Sequence, residues 1–137
     1  MTGPTEGVEE VTIAEDSDVV RVRQLVRAYA NQARLSLVDQ TKLVTATSEL
    51  ARNTLVYGGG GVATVMLVND GRRAGVRASF RDDGPGIPDI TLALADGWSS
   101  GKGLGLGLSG ARRLVDEFDL DTEVGRGTHV TVVKWSR

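Results

Sequence analysis

The sequence predicts an α+β fold, a two-layer α/β sandwich in which helices cover one face of a mixed, largely antiparallel sheet. Apolar residues recur at helical spacing over 19–33 and 38–56, while runs typical of strands, separated by turn residues, occupy 62–82 and 121–135. No internal repeat or linker interrupts these patterns. We therefore expect a single domain over residues 1–137, with residues 1–7 disordered.

The predicted elements follow one another in the order strand, two helices, two strands, helix and two strands. Residues 8–15 alternate like a strand, and Ser17 or Asp18 is expected to cap a first helix that ends near Arg34. A second helix begins at Ser36 or Asp39 and ends at four consecutive glycines, 58–61. The remaining predictions are strands over 62–69 and 74–82, a short helix over 90–96, a helix over 109–118, and strands over 121–124 and 128–135.

Composition excludes several classes of function. A formal net charge of −2 and 4% aromatic residues disfavour binding to nucleic acid. The chain has no cysteine and one histidine, so a thiolate or histidine-rich zinc site is excluded. The sequence has no apolar run of membrane-spanning length and no signal-peptide pattern, so we expect a cytoplasmic protein that does not bind membranes.

The loop Asp82-Asp83-Gly84-Pro85-Gly86 follows a predicted strand and favours a nucleotide pocket. Glycines allow the backbone to approach a ligand closely, and a carboxylate can accept a hydrogen bond from the exocyclic amine of adenine. The spacing Asp-x-Gly-x-Gly favours Asp82 over Asp83 as the purine contact. The same residues could also form an ordinary turn, since Asp-Gly and Gly-Pro-Gly end many strands.

Glu49 and Asn53 stand four residues apart on the second predicted helix, so both project from one face. The Asn53 amide oxygen could coordinate Mg²⁺, and Glu49 could act as a base or position a water molecule. Taken alone, the pair is more typical of a solvated helix surface than of a binding site.

The segment 101–110 is rich in glycine and leads into a predicted helix. Its formal dinucleotide fingerprint lacks a preceding strand and a βαβ unit, and Lys102 is followed by Gly103 rather than Ser or Thr, which excludes a P-loop. Backbone amides at a helix start still suit phosphate, and Lys102 could supply a mobile charge. The alternative is a hinge, which the interspersed leucines disfavour. A fourth glycine motif precedes the last predicted strand and places a hydroxyl at Thr128.

Together, in this order, the motifs resemble the N, G1, G2 and G3 boxes of the Bergerat-fold (GHKL) ATPases. The motifs are Glu49-x-x-x-Asn53, Asp82-x-Gly84-x-Gly86, Gly103-x-Gly105-x-Gly107 and Gly125-x-Gly127-Thr128. The short chain, residues 48–53, the loop 84–89 and the terminal Lys134-Trp135 look like the anti-sigma-factor serine/threonine kinases, and most like the RsbT-type switch kinases of the stressosome.

This resemblance implies a role for each matching residue. Asp82 would bind the adenine amino group with help from Thr128, and Gly84 and Gly86 would shape the floor beneath the base. Asn53 would hold Mg²⁺, and Glu49 would be the catalytic base toward a serine hydroxyl. The triphosphate of ATP would be bound by Lys102, Gly103, Leu104, Gly105 and Gly107.

The resemblance also implies a Mg-ATP-dependent protein kinase that acts as a partner switch in sigma-factor and stress-response regulation. Its substrate would be a STAS-domain antagonist or stressosome scaffold protein, and it would activate a PP2C-type phosphatase. The short, glycine-rich lid at 97–102 departs from kinases that bind a sigma factor directly. Alternatives are a nucleotide-gated anti-sigma factor or binding module with little catalysis, and a structural subunit without nucleotide. His129, in a predicted strand, is expected to be structural.

Overall fold

A computed structural model describes residues 7–87 and 107–137 of the chain. Within these ranges the helices and strands follow one another in the predicted order. They are β1 (Val8–Ile13), α1 (Asp16–Gln32), α2 (Leu37–Val56), β2 (Gly61–Asn69), β3 (Ala74–Asp82), α3 (Gly107–Arg113), β4 (Glu117–Glu123) and β5 (Gly127–Trp135). The short helix predicted over 90–96 lies outside the described residues, as do residues 1–6. Each described helix falls short, in length or apolar character, of what a membrane crossing requires.

The five strands form one sheet in the order β1-β2-β3-β5-β4, with antiparallel pairing at every contact. β5 therefore lies between β3 and β4, and its first residues face the end of β3. In this register Asp82 is opposite Thr128, and Thr128 is opposite Thr122 of β4. Since directly opposed residues share a face, these three side chains lie in a row on one side of the sheet.

The core lies between one face of the sheet and the three helices. Alternate residues of β3 and β5 point into it, among them Val76, Ala78, Phe80, Val130 and Val132. Helix α2 contributes Leu43, Ala46, Leu50 and Ala51, all buried, because its apolar residues recur every three or four positions. The α+β sandwich with helices on one face is thus confirmed.

The two long helices begin differently from one another. At α2 the Ser36 hydroxyl accepts a hydrogen bond from the Asp39 N–H at 3.1 Å, as predicted for a cap. At α1 the helix begins at Asp16, two residues before Asp18, so the predicted cap at Ser17 or Asp18 is wrong. The Asp18 carboxylate instead reaches back to the Ala14 and Glu15 N–H groups, at 2.9 and 3.1 Å. Its function is still to satisfy amides at the helix start, but from inside the first turn.

The predicted helix over 109–118 is present as α3, but its predicted end is wrong, because α3 ends at Arg113 and Phe118 belongs to β4. Leu114 and Val115 extend the helical spacing of apolar residues beyond the true end. From Glu117 onward acidic residues alternate with Phe118 and Leu120, which is the period of a strand. The Asp116 N–H already bonds to the Val133 carbonyl at 2.9 Å, so pairing with β5 ends the helix.

A cluster of charges fixes the end of the sheet that lies away from Asp82. The Lys134 ammonium, in a residue only 4% exposed, lies 3.6 Å from Asp39 of α2 and 3.5 Å from Asp116. Arg137 contacts Asp116 at 2.8 Å, and the Trp135 N–H bonds to the same carboxylate at 2.7 Å. Burial alone raises the pKa of Asp116, but the Trp135 N–H and the two cations outweigh it, so its pKa lies below the usual value.

Two leucines of α2 provide a direct test of this packing. Leu50 is 1% exposed and Leu37 is 74% exposed. We expect Leu50→Ala to lower the free energy of unfolding by ~2–5 kcal/mol, because it leaves a cavity between α2 and the sheet. Leu37→Ala, the matched control, should change it by no more than ~0.5 kcal/mol. Chemical denaturation of both variants measures the difference, and equal losses would contradict the packing of α2.

Candidate nucleotide-binding site

The Asp82 side chain lies at the end of β3 on the helix-facing side of the sheet. Its Oδ1 accepts a hydrogen bond from the Gly84 N–H at 2.9 Å, which closes a tight turn after the strand. Burial raises the pKa of Asp82. The backbone N–H groups of Gly84 and Thr128 oppose this shift, and the neighbouring charge of Asp83 adds to it. The carboxylate is therefore held in a place that disfavours its charge unless a ligand donates hydrogen bonds to it.

Gly58 joins helix α2 to this carboxylate. Its N–H bonds to the Asn53 carbonyl at 3.2 Å, in the turn that ends α2. A Cβ at position 58 would collide with the Asp82 carboxylate carbon, and one at Gly84 would lie 2.8 Å from Gly58 Cα. These three residues thus touch through backbone and carboxylate alone, and the turn that carries Asn53 is placed directly beside Asp82.

The loop after Asp82 crosses the start of β5 and lies against the β4–β5 turn. A Cβ on Gly127 would meet the Asp82 carbonyl oxygen, which explains why a glycine begins β5. On the far side, the Pro85 carbonyl accepts a hydrogen bond from the Gly125 N–H at 2.8 Å. Gly86 has a φ of 78° and packs against the Glu123 carbonyl, so it too has to be glycine. The predicted G1 and G3 motifs are therefore in direct contact.

A hydroxyl on β4 completes this end of the site. Thr122 Oγ1 lies 2.9 Å from Thr128 Oγ1, 3.0 Å from the Gly127 carbonyl oxygen and 3.0 Å from the Ile87 N–H. Thr122 therefore links the loop after β3 to the first residues of β5. Thr128, predicted to support adenine binding, lies beside Asp82 in the row of helix-facing side chains.

Glu49 lies one turn before Asn53 on α2, and both are partly buried. The Oε2 atom of Glu49 is buried and has no hydrogen-bond partner among the described residues. An unpaired buried carboxylate oxygen costs free energy, so such groups are concentrated at functional sites. The orphaned atom is chemically suited to accept a proton from an incoming hydroxyl.

The predicted triphosphate-binding segment is described only at its end. Gly107 begins α3 with a φ of 61°, a left-handed conformation that favours glycine. Lys102, Gly103, Leu104 and Gly105 lie outside the described residues, so their predicted roles stay predictions. Within 7–87 and 107–137 no cluster of three or more His, Cys, Asp or Glu side chains could hold a metal by itself.

Two concave regions are lined by residues of the sheet's open face. A groove of about 650 Å³ lies on the open face, lined by residues such as Thr64, Arg77 and Thr131. It does not include Asp82 or the glycine motifs. A smaller depression of about 220 Å³ shares Arg81 and His129 with this groove and is also lined by Asp121 and Thr128. The candidate nucleotide site is therefore placed by the close backbone contacts around Asp82 on the helix-facing side.

Comparison with known proteins agrees with this placement. Residues 38–136 match the family described as histidine kinase-, DNA gyrase B- and HSP90-like ATPases. The chain belongs to this ATPase family. The matched range begins at the first turn of α2 and ends after β5, so it includes every motif of the candidate site.

Individual relatives show which members of this ATPase family the chain resembles. The chain is 43% identical over 127 residues to the serine/threonine-protein kinase RsbT of Bacillus subtilis, covering 93% of this chain and 96% of that protein. It is 29% identical to an anti-sigma F factor of Geobacillus kaustophilus, covering 82% and 80%. A crystal structure of the RsbU and RsbW domains of a Mycobacterium tuberculosis protein superposes with a TM-score of 0.66 at 25% identity. That match covers 95% of this chain and a third, 33%, of the other.

The structure adds two site residues, Gly58 and Thr122, that sequence reasoning missed. Gly58 belongs to the four glycines that are predicted to end the second helix, but its position is decided by contact with Asp82, 24 positions later. Thr122 gives a weak signal, since it continues the alternation of Phe118 and Leu120 with a polar residue at a core-facing position. A hydroxyl in an apolar row needs partners, and here they are the site itself.

Gly58 yields a prediction about this ATPase site. We expect Gly58→Ala to weaken ATP binding at least ~10-fold, because its Cβ would displace the Asp82 carboxylate, and an unmade charged hydrogen bond costs ~1.5–3 kcal/mol. Gly59→Ala is the control: position 59 has no neighbour within 4 Å but a φ of 76°, so it adds backbone strain without touching Asp82. Calorimetric titration with ATP compares the two, and equal affinities would contradict the role of Gly58.

Proposed function

We propose that the chain is a Mg-ATP-dependent protein serine/threonine kinase that phosphorylates a STAS-domain partner and thereby switches that partner's associations. The observation that carries the proposal is the buried Oε2 of Glu49, one helical turn from Asn53, which has no hydrogen-bond partner in the part of this ATPase-family chain that the structure describes. The name of the Bacillus subtilis relative, a serine/threonine-protein kinase, supports the reaction class.

The base end of the site would bind adenine. Asp82 would accept a hydrogen bond from the exocyclic amine, and Thr128 would support it directly or through water. Gly84 and Gly86 would shape the floor beneath the base, since without side chains their backbone packs closely against its neighbours. Burial of Asp82 makes this interaction strong, because hydrogen bonds to a partly desolvated carboxylate face little competition from water.

The phosphate end would be formed by α2 and the glycine-rich segment. The Asn53 amide oxygen would hold Mg²⁺, which suits a cation that keeps few protein ligands and takes phosphate oxygens. Lys102, Gly103, Leu104, Gly105 and Gly107 would contact the triphosphate. When bound there, Mg²⁺ would supply positive charge that neutralises the phosphate oxygens.

Transfer needs a base and a correctly placed hydroxyl. Glu49 Oε2 would accept the proton of a serine or threonine hydroxyl while the oxygen of that hydroxyl bonds to the γ-phosphorus of ATP. The bond from that phosphorus to the bridging oxygen breaks, and ADP leaves with the electron pair. Because Oε2 has no partner among the described residues, no existing hydrogen bond has to be broken first.

The partner is proposed from the names of the similar proteins. Names of similar proteins include a kinase, an anti-sigma factor and a structure with RsbU and RsbW domains. We propose a STAS-domain antagonist or stressosome scaffold protein as substrate, in the cytoplasm, and a PP2C-type phosphatase as a second partner. Phosphorylation adds a charge of about −2 to a partner surface, which is sufficient to release a bound protein.

A second candidate is a nucleotide-gated binding module for a sigma factor, with little catalysis. The 29% identity to an anti-sigma F factor favours it. Incubation with γ-labelled ATP and the STAS-domain protein whose gene lies nearest to the gene for this chain distinguishes the kinase from the binding module. Label on the STAS protein supports the kinase, whereas ATP-dependent sigma binding without label supports the module.

Replacing Glu49 tests the catalytic assignment. We expect Glu49→Gln to reduce phosphoryl transfer by ~10²–10⁴-fold, because the amide cannot accept the proton, with ATP affinity unchanged. Transfer is measured by labelled phosphate on the STAS protein, and affinity by calorimetry. Glu10→Gln on the exposed face of β1 is the matched control and should leave both values unchanged. Wild-type transfer by Glu49→Gln would remove Glu49 from the reaction.

Replacing Asp82 tests the base end and its electrostatics. Asp82→Asn keeps an Oδ1 acceptor for the Gly84 N–H but loses the charge, so we expect ATP affinity to fall ~10–100-fold. The pKa of Asp82 is raised, so ionisation of Asp82 weakens the free fold as pH rises above the ordinary value of 3.8. Nucleotide-free Asp82→Asn should therefore melt at a higher temperature than wild type at pH 7.

The stability advantage of Asp82→Asn should disappear below pH 3.8, where Asp82 is protonated and uncharged in both the folded and unfolded states. Thermal melts of the two proteins across this range give the comparison. A nucleotide-free variant that melts lower than wild type at pH 7 would contradict the cost of burying the charge, and wild-type ATP affinity would remove Asp82 from the pocket.

A further inference from the structure

The hydroxyl of Thr122 makes three polar contacts with one proton to donate. The Ile87 N–H can only donate, and the Gly127 carbonyl can only accept, at 3.0 Å each. The third contact, with Thr128 Oγ1 at 2.9 Å, can run in either direction. All three are satisfied together only when Thr122 donates to Gly127 and accepts from both Ile87 and Thr128.

This arrangement fixes the proton of Thr128. Its hydroxyl donates to Thr122, so only its lone pairs remain for a ligand. Asp82, directly opposite Thr128 on the neighbouring strand, is likewise an acceptor when ionised. The two groups that face the base end of the site therefore both accept hydrogen bonds and neither donates.

We propose that Thr122 is a positioning residue that sets the base specificity of the site by holding Thr128 as a hydrogen-bond acceptor. The inference rests on the proposed nucleotide function and extends it to a residue that would not touch the nucleotide. An exocyclic amino group, with two N–H donors, matches a pair of acceptors. If a carbonyl oxygen takes the place of this amino group, one acceptor faces the two acceptors Asp82 and Thr128. Buried polar groups are then left unpaired.

The test compares ATP with inosine triphosphate, which replaces the amino group of adenine by a carbonyl oxygen. Wild type should bind ATP more tightly. In Thr122→Val the shape is kept but the hydroxyl is lost, so the Thr128 proton is free to turn toward the site and donate to the carbonyl. We expect the ratio of ATP affinity to inosine triphosphate affinity to fall about 10-fold, the value of one hydrogen bond.

Three controls separate positioning from a general structural effect. Thr122→Ser keeps the hydroxyl and should restore the wild-type ratio, and Thr131→Val, on β5 but on the open face, should not change it. In a Thr128→Val background the Thr122→Val change should have no further effect on the ratio, because Thr122 acts through Thr128. In the single Thr122→Val variant the KM for ATP should rise, while the kcat for phosphoryl transfer should stay unchanged.

Several outcomes would overturn the inference. An unchanged ratio in Thr122→Val, equal weakening of both nucleotides, or failure of Thr122→Ser to restore the ratio each contradicts it. If Thr122→Val does not fold by thermal melting, Thr122→Ala is measured in its place with the same criteria. If wild type binds ATP and transfers phosphate but the ratio does not move, this inference alone fails. If wild type does not bind ATP, the proposed function fails with it.

Discussion

Three backbone segments pack so closely around Asp82 that no side chain fits between them and this residue. Gly58 at the end of α2, Gly84 in the following loop and Gly127 at the start of β5 all approach Asp82 at distances that a Cβ would block. Three segments far apart in sequence are thus brought together around a single acidic residue. The glycines serve here as close contacts in the folded state, and the entropy they cost on folding is offset by the packing they permit.

This close packing places the Asp82 carboxylate where the fold alone does not stabilise its charge. The buried charges at the other end of the sheet are arranged differently. Near Lys134 the buried charges are paired, and the pKa of Asp116 lies below its usual value. At Asp82 burial dominates and the pKa is raised. The first arrangement stabilises the free protein above the pKa of Asp116, whereas the second reduces stability until a donor arrives. A carboxylate kept partly desolvated is poised for a ligand that brings N–H groups.

The order of elements and the motifs were predictable because they depend on local pattern. Apolar spacing located α2, and the Asp-x-Gly-x-Gly and Gly-x-Gly-Thr motifs indicated the loops that the structure brings into contact. The errors arise where local signals compete: Leu114 and Val115 continue a helical pattern that pairing with β5 ends at Arg113. Gly58 and Thr122 were missed because their partners, Asp82, Thr128 and Ile87, are set by sheet register and loop path. Register depends on the whole sheet and is invisible in a short window of sequence.

Glu49 and Asn53 are held in place relative to Asp82 because α2 contacts the sheet near both of its ends. At one end Asp39 of α2 pairs with Lys134 of β5, and at the other Gly58 packs on Asp82, which is opposite Thr128. A shift of α2 along its axis would break contacts at both ends, so Glu49 and Asn53 keep their distance from the Asp82 and Thr128 pair. Phosphoryl transfer depends chiefly on such positioning, since the reacting group has to be held between a base and a bound nucleotide.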